Sequence, residues 1–104
     1  MNRGEIWWAN LPLPAGRRPV LLLNRDSAIR IRSLVTVAHV TTQIRRIPSE
    51  VPLGAADGMP KPCVVNADVL NTIEKRLLDA PLCTLSSEKM LAVENALRFA
   101  LGMD

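Results

Sequence analysis

Hydrophobic positions along the chain follow two rhythms. Up to about residue 78 they come in short runs broken by Gly, Pro and charge, the mark of strands; near the C-terminus they recur every three or four residues, the mark of a helix. The first run, Gly4–Leu11, is rich in strand formers and stops at Pro12 and Pro14, which cannot donate to a ladder. Pro12–Arg18 reads as a loop, Val20–Asn24 as a short buried strand, and Arg25–Ser33 as polar and irregular with room for one helical turn. Leu34–Thr41 is the strongest strand, nearly all β-branched and apolar, as a strand covered on both faces should be. Alternation puts Val35, Val37, His39 and Thr41 on one face and Leu34, Thr36, Ala38 and Val40 on the other.

A basic turn at Gln43–Arg46 follows, then a strand at Ser49–Leu53, a Gly- and Pro-rich loop at Gly54–Pro62, and a strand at Cys63–Asn66. Ala67–Thr72 is read as a turn and Ile73–Leu78 as a last extended piece. The helix begins at an N-cap, Ser86, with Leu85 and Met90 spaced as a hydrophobic staple. Met90, Val93, Leu97, Ala100 and Leu101 form its inward stripe, and Gly102 stands where a C-terminal glycine belongs. Strands first and one amphipathic helix last predict a mainly β, α+β domain: a small barrel or sheet with the helix packed outside. The 104 residues suffice for a single domain, 1–104, and a core this small is often completed by a partner.

Charge adds a direction. The net charge is only +3, but residues 1–52 carry eight arginines against three carboxylates, a net of +5, while residues 53–104 carry five basic and seven acidic groups, a net of −2. A guanidinium offers a planar fork of donors that fits a phosphate, so a polyanion is the functional reading of this half; solvated surface arginines are the bland one. Cys63 and Cys83 do not make a disulfide framework and read as small buried hydrophobes. Pro19–Leu23, the longest early apolar run, is too short for a signal core or a membrane span, so a reduced cytoplasmic setting is expected.

One His, no close Cys pair and no carboxylate cluster leave no expected metal site, and no glycine-rich phosphate loop or cofactor motif is present. A cysteine nucleophile would need His39 as its base, and only the presence of these residues supports that. What remains is arginine at the mouth of the second strand, Arg17-Arg18-Pro19-Val20, and hydroxyls at the end of the longest one, Thr41-Thr42-Gln43.

Five fragments in order, Arg3-Gly-Glu-Ile-Trp7, Arg18-Pro-Val20, Val35–Thr41, Thr72-Ile-Glu-Lys75 and Ala96-Leu-Arg-Phe-Ala-Leu-Gly102, resemble the MazF/PemK toxins. The resemblance spans nearly the whole chain. It implies an SH3-like β-barrel with a C-terminal helix, a homodimer, and metal-independent cleavage of single-stranded RNA at short sequences. It also implies a cognate antitoxin, partly disordered and acidic, that blocks the site. The family's catalytic arginine and strand-end threonine fall on Arg18 and Thr41.

Elementary chemistry suits these roles. RNA carries its own nucleophile, the 2′-OH, beside the scissile phosphate. A guanidinium can hold two phosphate oxygens as charge builds, and a threonine hydroxyl can donate to one or fix the 2′-OH, although it is a poor base. His39, on the strand face of Thr41, is a candidate general acid or base, against the alternative of an ordinary half-buried histidine. Arg17, Arg25, Thr42, Gln43 and Arg45 are candidate RNA contacts, with Arg46 beside them. Asp68 occupies a position where the family often carries an acidic residue near RNA, with turn capping as its alternative. Of Trp7 and Trp8, one is expected in the core and the other could stack on a base.

Departures from the family pattern are as informative. The first loop lacks the Glu-Gln-Gly-Gly run that often precedes Arg-Pro-Val, Asn71 replaces a common arginine, and Val69 a common glutamine. Cut-site preference therefore does not carry over, and transfer or ribosomal RNA is as open a target as messenger RNA. Two other functions fit the same fold: a toxin that poisons a protein such as DNA gyrase, in the manner of CcdB, and a barrel that binds RNA and leaves it intact.

Overall fold

The computed structural model describes residues 1–103. In chain order the elements are β1 (Glu5–Asn10), β2 (Arg17–Leu22), α1 (Asp26–Ile31), β3 (Leu34–Thr41), β4 (Glu50–Leu53), β5 (Cys63–Glu74), β6 (Leu78–Thr84) and α2 (Ser87–Leu101), with 3-10 turns at Ala55–Asp57 and Lys75–Leu77. All strand pairs are antiparallel and form one six-stranded sheet in the order β4-β5-β3-β2-β1-β6, a half-barrel with α2 against it. This is the mainly β architecture with a C-terminal helix that the sequence predicts.

The near-continuous apolar run of β3 has a direct explanation: both faces of the strand are covered. Ala38 and Val40 join Ile6, Leu21, Val65 and the α2 residues Met90, Val93 and Ala96 in one core cluster. Val35 and Val37 join Val20, Leu22, Ile29 and Leu78 in a second. Helix α2 is bounded as expected. The Ser86 hydroxyl accepts the N–H of Lys89 at 3.1 Å, and Leu85 and Met90 are both buried. At its other end Gly102 takes φ 69°, Gly102 N–H donates to Phe99 C=O and Met103 N–H to Arg98 C=O, the paired bonds of a Schellman ending. The inward stripe is Met90, Val93 and Ala96, with Leu97 and Ala100 at its edge. Leu101 is exposed, one residue beyond where the helical repeat returns to the core.

Three expectations need correction. Strand β2 starts at Arg17, not Val20, because Pro19 is held by pairing with Trp8 of β1 while pairing to β3 begins only at Val20, so the missing N–H breaks no bond to β3. The turn expected at residues 67–72 is instead the middle of β5, a single 12-residue strand. Its register to β3 jumps from Ala38↔Leu70 to His39↔Asn66, so Ala67, Asp68 and Val69 bulge out. Within that bulge the Asn66 Oδ1 accepts the N–H of Asp68 at 2.9 Å. The last extended piece expected at Ile73–Leu78 is instead the end of β5, the 3-10 turn Lys75–Leu77 and the start of β6, which the sequence reading did not assign and which lies at the sheet edge, where Pro81 costs no inner ladder bond.

The loop between β4 and β5 is tied down at Gly58, which has φ +94°; a Cβ placed there would stand 2.8 Å from Cys83 Cβ. Gly58→Ala combines left-handed backbone with a clash and is expected to cost about 2 kcal/mol, read as a lowered urea midpoint at unchanged slope.

Candidate functional site

The paired register of β2 and β3 runs Leu22↔Val37, Leu21↔Ala38 and Val20↔His39, and Arg18 and Thr41 each lie two residues beyond its last pair. Residues directly opposed in an antiparallel pair share a face, and so do residues two apart. Arg18, His39 and Thr41 therefore lie on the face that carries Val20, Val35 and Val37. On β5, Asn66 pairs with His39 and Asn71 with Val37, so both asparagines join the same face. Toward α1 this face is closed, apolar core; toward the start of β2 it opens as a cleft of ≈ 180 Å³ lined by Arg18, His39, Thr41, Gln43, Arg45, Asn66 and Val69.

The cleft's charges are both positive, Arg18 and Arg45. Arg18 is half-buried; its Nε donates to Ala15 C=O at 3.3 Å and its Nη1 lies 3.4 Å from His39 Nδ1. Its other N–H groups have no partner among the described residues, which leaves them for a ligand. The Thr41 Oγ1 accepts the N–H of Gln43 at 3.2 Å, which fixes the oxygen and leaves the hydroxyl proton free to donate. Gln43 Oε1 in turn accepts from Arg45 Nη2 at 3.3 Å.

His39 is 7% exposed. A guanidinium has no lone pair to accept with, so the contact with Arg18 requires an unprotonated Nδ1. Nε2 then carries the proton and donates to Asn71 Oδ1 at 2.5 Å. Burial pushes the imidazole pKa below its usual 6.5, the Asn71 bond raises it, and the Arg18 charge lowers it again, with a downward net result. Neither ring nitrogen of His39 is left over for a proton transfer in this arrangement.

The loop that carries Gln43 and Arg45 is held from behind by Glu50, whose side chain is 1% exposed. Its Oε1 accepts the backbone N–H groups of Arg45 and Arg46 at 2.8 and 3.0 Å, and its Oε2 stands 3.8 Å from Arg45 Nη1. Arg46 sits in left-handed backbone, φ 59°, inside this cradle.

Of the residues nominated from sequence, Arg18, Thr41, His39, Gln43 and Arg45 meet in the cleft. Arg17 points to the opposite face, where it stacks 4.7 Å over the Trp8 ring and pairs with Asp79 at 2.6 Å. Thr42 faces the same way, lining a small apolar pocket with Trp8, Pro19 and Met59. Arg25 is exposed just before α1, past the opposite end of β2. Asp68 lies in the β5 bulge beside the cleft, its Oδ2 accepting the buried Ser49 hydroxyl at 2.5 Å. Trp7 packs on the second core cluster with its Nε1 donating to Glu5 at 2.8 Å; both tryptophans are half-buried.

Sequence reasoning did not nominate Asn66, Asn71 or Glu50. A signal exists for Asn66: it ends the apolar run Cys63-Val-Val with a strongly polar side chain, an odd choice for a residue 7% exposed. Cys63 and Cys83 are free thiols whose pKa values burial pushes up, and Cys83 contacts Met59 sulfur at 3.5 Å, so neither is an activated nucleophile. Among the described residues no three His, Cys, Asp or Glu side chains gather as a metal site would need. No helix among them is long and apolar enough to cross a membrane.

Two cations, a fixed hydroxyl and no lining carboxylate make a site for an anion with directional oxygens, a phosphodiester above all. The comparisons agree in direction. Residues 2–101 match the family described as PemK-like, MazF-like toxin of type II toxin–antitoxin system. The chain is 38% identical over 100 residues to "Probable endoribonuclease MazF5" of Mycobacterium tuberculosis, covering 95% of this chain and 91% of that protein. It superposes on the "Mycobacterium tuberculosis toxin MazF-mt6" with a TM-score of 0.89 at 33% identity, covering 96% of this chain and 98% of that one. The TM-score is 0.88 at 29% identity, covering 100% and 97%, for a structure titled "Endoribonuclease in complex with its cognate antitoxin from Mycobacterial species".

Proposed function

The chain belongs to the PemK-like, MazF-like toxins of type II toxin–antitoxin systems, and from that premise we propose that it is an endoribonuclease whose cut is made by Arg18 and Thr41 without a metal. The RNA supplies the 2′-OH: its oxygen bonds to the adjacent phosphorus as the bond to the 5′-oxygen breaks, the 2′-proton passes to water and water returns a proton to the leaving 5′-oxygen, while the protein orients the attack and stabilises the charge that develops. Arg18 grips the non-bridging oxygens, and Thr41 donates its free proton to the same group or to the 2′-OH. Gln43 and Arg45 hold the flanking backbone. The observation that carries this reading is that Arg18 and Thr41, each two residues past the last β2–β3 pair, line one cleft together with Gln43 and Arg45.

Arg17, Arg25, Thr42 and Asp68 lie outside that cleft; as RNA contacts they would extend the track, and Arg17 would first have to leave Asp79. A homodimer would lengthen the track further, and an acidic antitoxin segment laid along the arginines would occlude it. An RNA substrate places the action in the cytoplasm, with growth arrest as its result.

The test is incubation of the purified protein, in EDTA, with pooled messenger, transfer and ribosomal RNA. Discrete new 5′ ends are expected, and their map names the target. Intact RNA beside a folded protein that still arrests growth would overturn the nuclease reading and favour a gyrase-type poison; tight binding without cuts would favour a passive barrel. Thr41→Val, which keeps the shape and removes the hydroxyl, is expected to slow cleavage about 10–100-fold with unchanged RNA affinity, measured under single turnover.

A further inference from the structure

An arginine that must meet a phosphate in a fixed pose has a flexible stem to restrain, and a carboxylate partner would compete with the substrate for its charge. This site restrains Arg18 differently. Its side-chain contacts are one carbonyl, Ala15 C=O at 3.3 Å, and one neutral ring nitrogen, His39 Nδ1 at 3.4 Å. The ring is held in turn by Asn71 on the next strand but one from β2, through a bond that places the imidazole proton on Nε2. The bulge in β5 begins right after Asn66, so β5 places one asparagine opposite His39, in the pair adjoining the bend, and another opposite Val37, in the second pair beyond it.

We propose, resting on the ribonuclease reading above, that His39 is a positioning residue and not a proton carrier: its neutral imidazole, locked in one tautomer by Asn71, aims Arg18 at the phosphate, and protonation of the ring disarms the site. A protonated ring has no acceptor for Arg18 and sets a second cation against the guanidinium. The charged groups near the ring are Arg18 from β2, Arg45 of the β3–β4 loop across the cleft, Glu50 from β4 behind that loop, where it is engaged by Arg45 and Arg46, and Asp68 in the β5 bulge beside the cleft, engaged by the Ser49 hydroxyl; β5 also contributes the neutral Asn66 and Asn71. With the imidazole pKa held below 6.5, chiefly by burial, both the folded state and the aimed arginine are favoured above that value. Both are lost as pH falls through the lowered pKa. Cleavage should therefore show a one-proton acid limb below pH 6.5.

Two substitutions separate positioning from proton transfer. In His39→Asn the side-chain oxygen stands at the δ position of the old Nδ1, can accept from Arg18 and cannot titrate. It is expected to cleave within about threefold of wild type at pH 7.5 and to lose the acid limb. Asn71→Asp puts a carboxylate beside Nε2–H, stabilises the imidazolium and is expected to move the limb to higher pH. Loss of cleavage at every pH in folded His39→Asn would make His39 a proton carrier and overturn the proposal; an acid limb unchanged in both variants would overturn it as well.

Imidazole ¹⁵N spectra of the intact protein provide a readout independent of cleavage. Above pH 7 they should show Nδ1 bare and Nε2 protonated, with a midpoint that rises in Arg18→Met. The opposite tautomer, or a midpoint indifferent to Arg18, would refute the contact even in a preparation that cuts no RNA. Cuts that survive Arg18→Met would instead refute the ribonuclease assignment of Arg18 while leaving the spectra free to establish the His39–Arg18 contact.

Discussion

Arg18→Ala is expected to slow single-turnover RNA cleavage by about 10²–10³-fold, the loss that follows removal of one preorganised donor to a developing oxyanion. The fold should survive. Arg18 is half-buried at the start of β2, and among the described residues its only side-chain partners are the Ala15 carbonyl and His39 Nδ1. The core beneath it, Val20, Leu21 and Leu22, is untouched by truncation. Arg18→Lys restores the charge but not the fork, and a point charge cannot both satisfy His39 and grip two phosphate oxygens. It should recover about a tenth of wild-type activity at most. RNA affinity should fall much less than rate in both variants, since Arg45 stays in the cleft and is expected to keep its hold on the backbone. An equal fall in affinity and rate would mean that Arg18 binds the ground state and does no more.

Glu50→Ala should produce the largest loss of stability, about 3 kcal/mol. The carboxylate is nearly inaccessible and one oxygen accepts two backbone N–H groups. Truncation strands both donors and opens a void beneath the loop that carries Gln43 and Arg45. It also releases the cradle that holds Arg46 in left-handed backbone, a conformation that itself costs about 1 kcal/mol or more for a side-chain-bearing residue. Glu50→Gln keeps an acceptor oxygen in place and should cost about 1 kcal/mol. Urea unfolding at pH 7 reads both values, and amide hydrogen exchange at Arg45 and Arg46 shows whether the loss is local to the loop. Because the loop feeds the cleft, Glu50→Ala should also weaken RNA binding at temperatures where the protein remains folded.

How far the sequence could be read varies with how local the determining physics is. Helix α2 was legible to its ends, since Ser86, the Leu85/Met90 spacing and Gly102 act within one turn of themselves. Strand β3 was legible because burial on both faces demands an unbroken apolar run. The β5 bulge was not: Asp68 and Asn71 read as turn residues, and the strand is carried through them only by the pairs on either side of the bulge, Asn66 with His39 and Glu50 before it and Leu70 onward with β3 after it. Strand β6 was not assigned beyond Leu78; it carries Pro81, whose tolerance depends on the strand being an edge, a property of the whole sheet.

The site divides in the same way. Arg18, Thr41 and His39 were nominated because alternation and strand ends are local features. Asn71 and Glu50 act across strands, on His39 at a separation of 32 residues and on the loop from the far edge, and no spacing rule in the sequence points to them. Arg17 shows the converse failure: adjacent to Arg18 in sequence, it is turned by strand alternation to the other face and spent on Trp8 and Asp79.

The central claim is that this cleft lets RNA cut itself, and one substrate pair tests it most directly. A short RNA containing a mapped cut site, and its twin with a single 2′-deoxynucleotide on the 5′ side of that cut, would be incubated with the protein in EDTA. The natural strand should yield a 5′-hydroxyl fragment and a 2′,3′-cyclic phosphate or its opened product, while the deoxy strand stays whole. Cleavage of the deoxy strand, or a 5′-phosphate on the product, would show that water and not the 2′-OH is the nucleophile, and would contradict it.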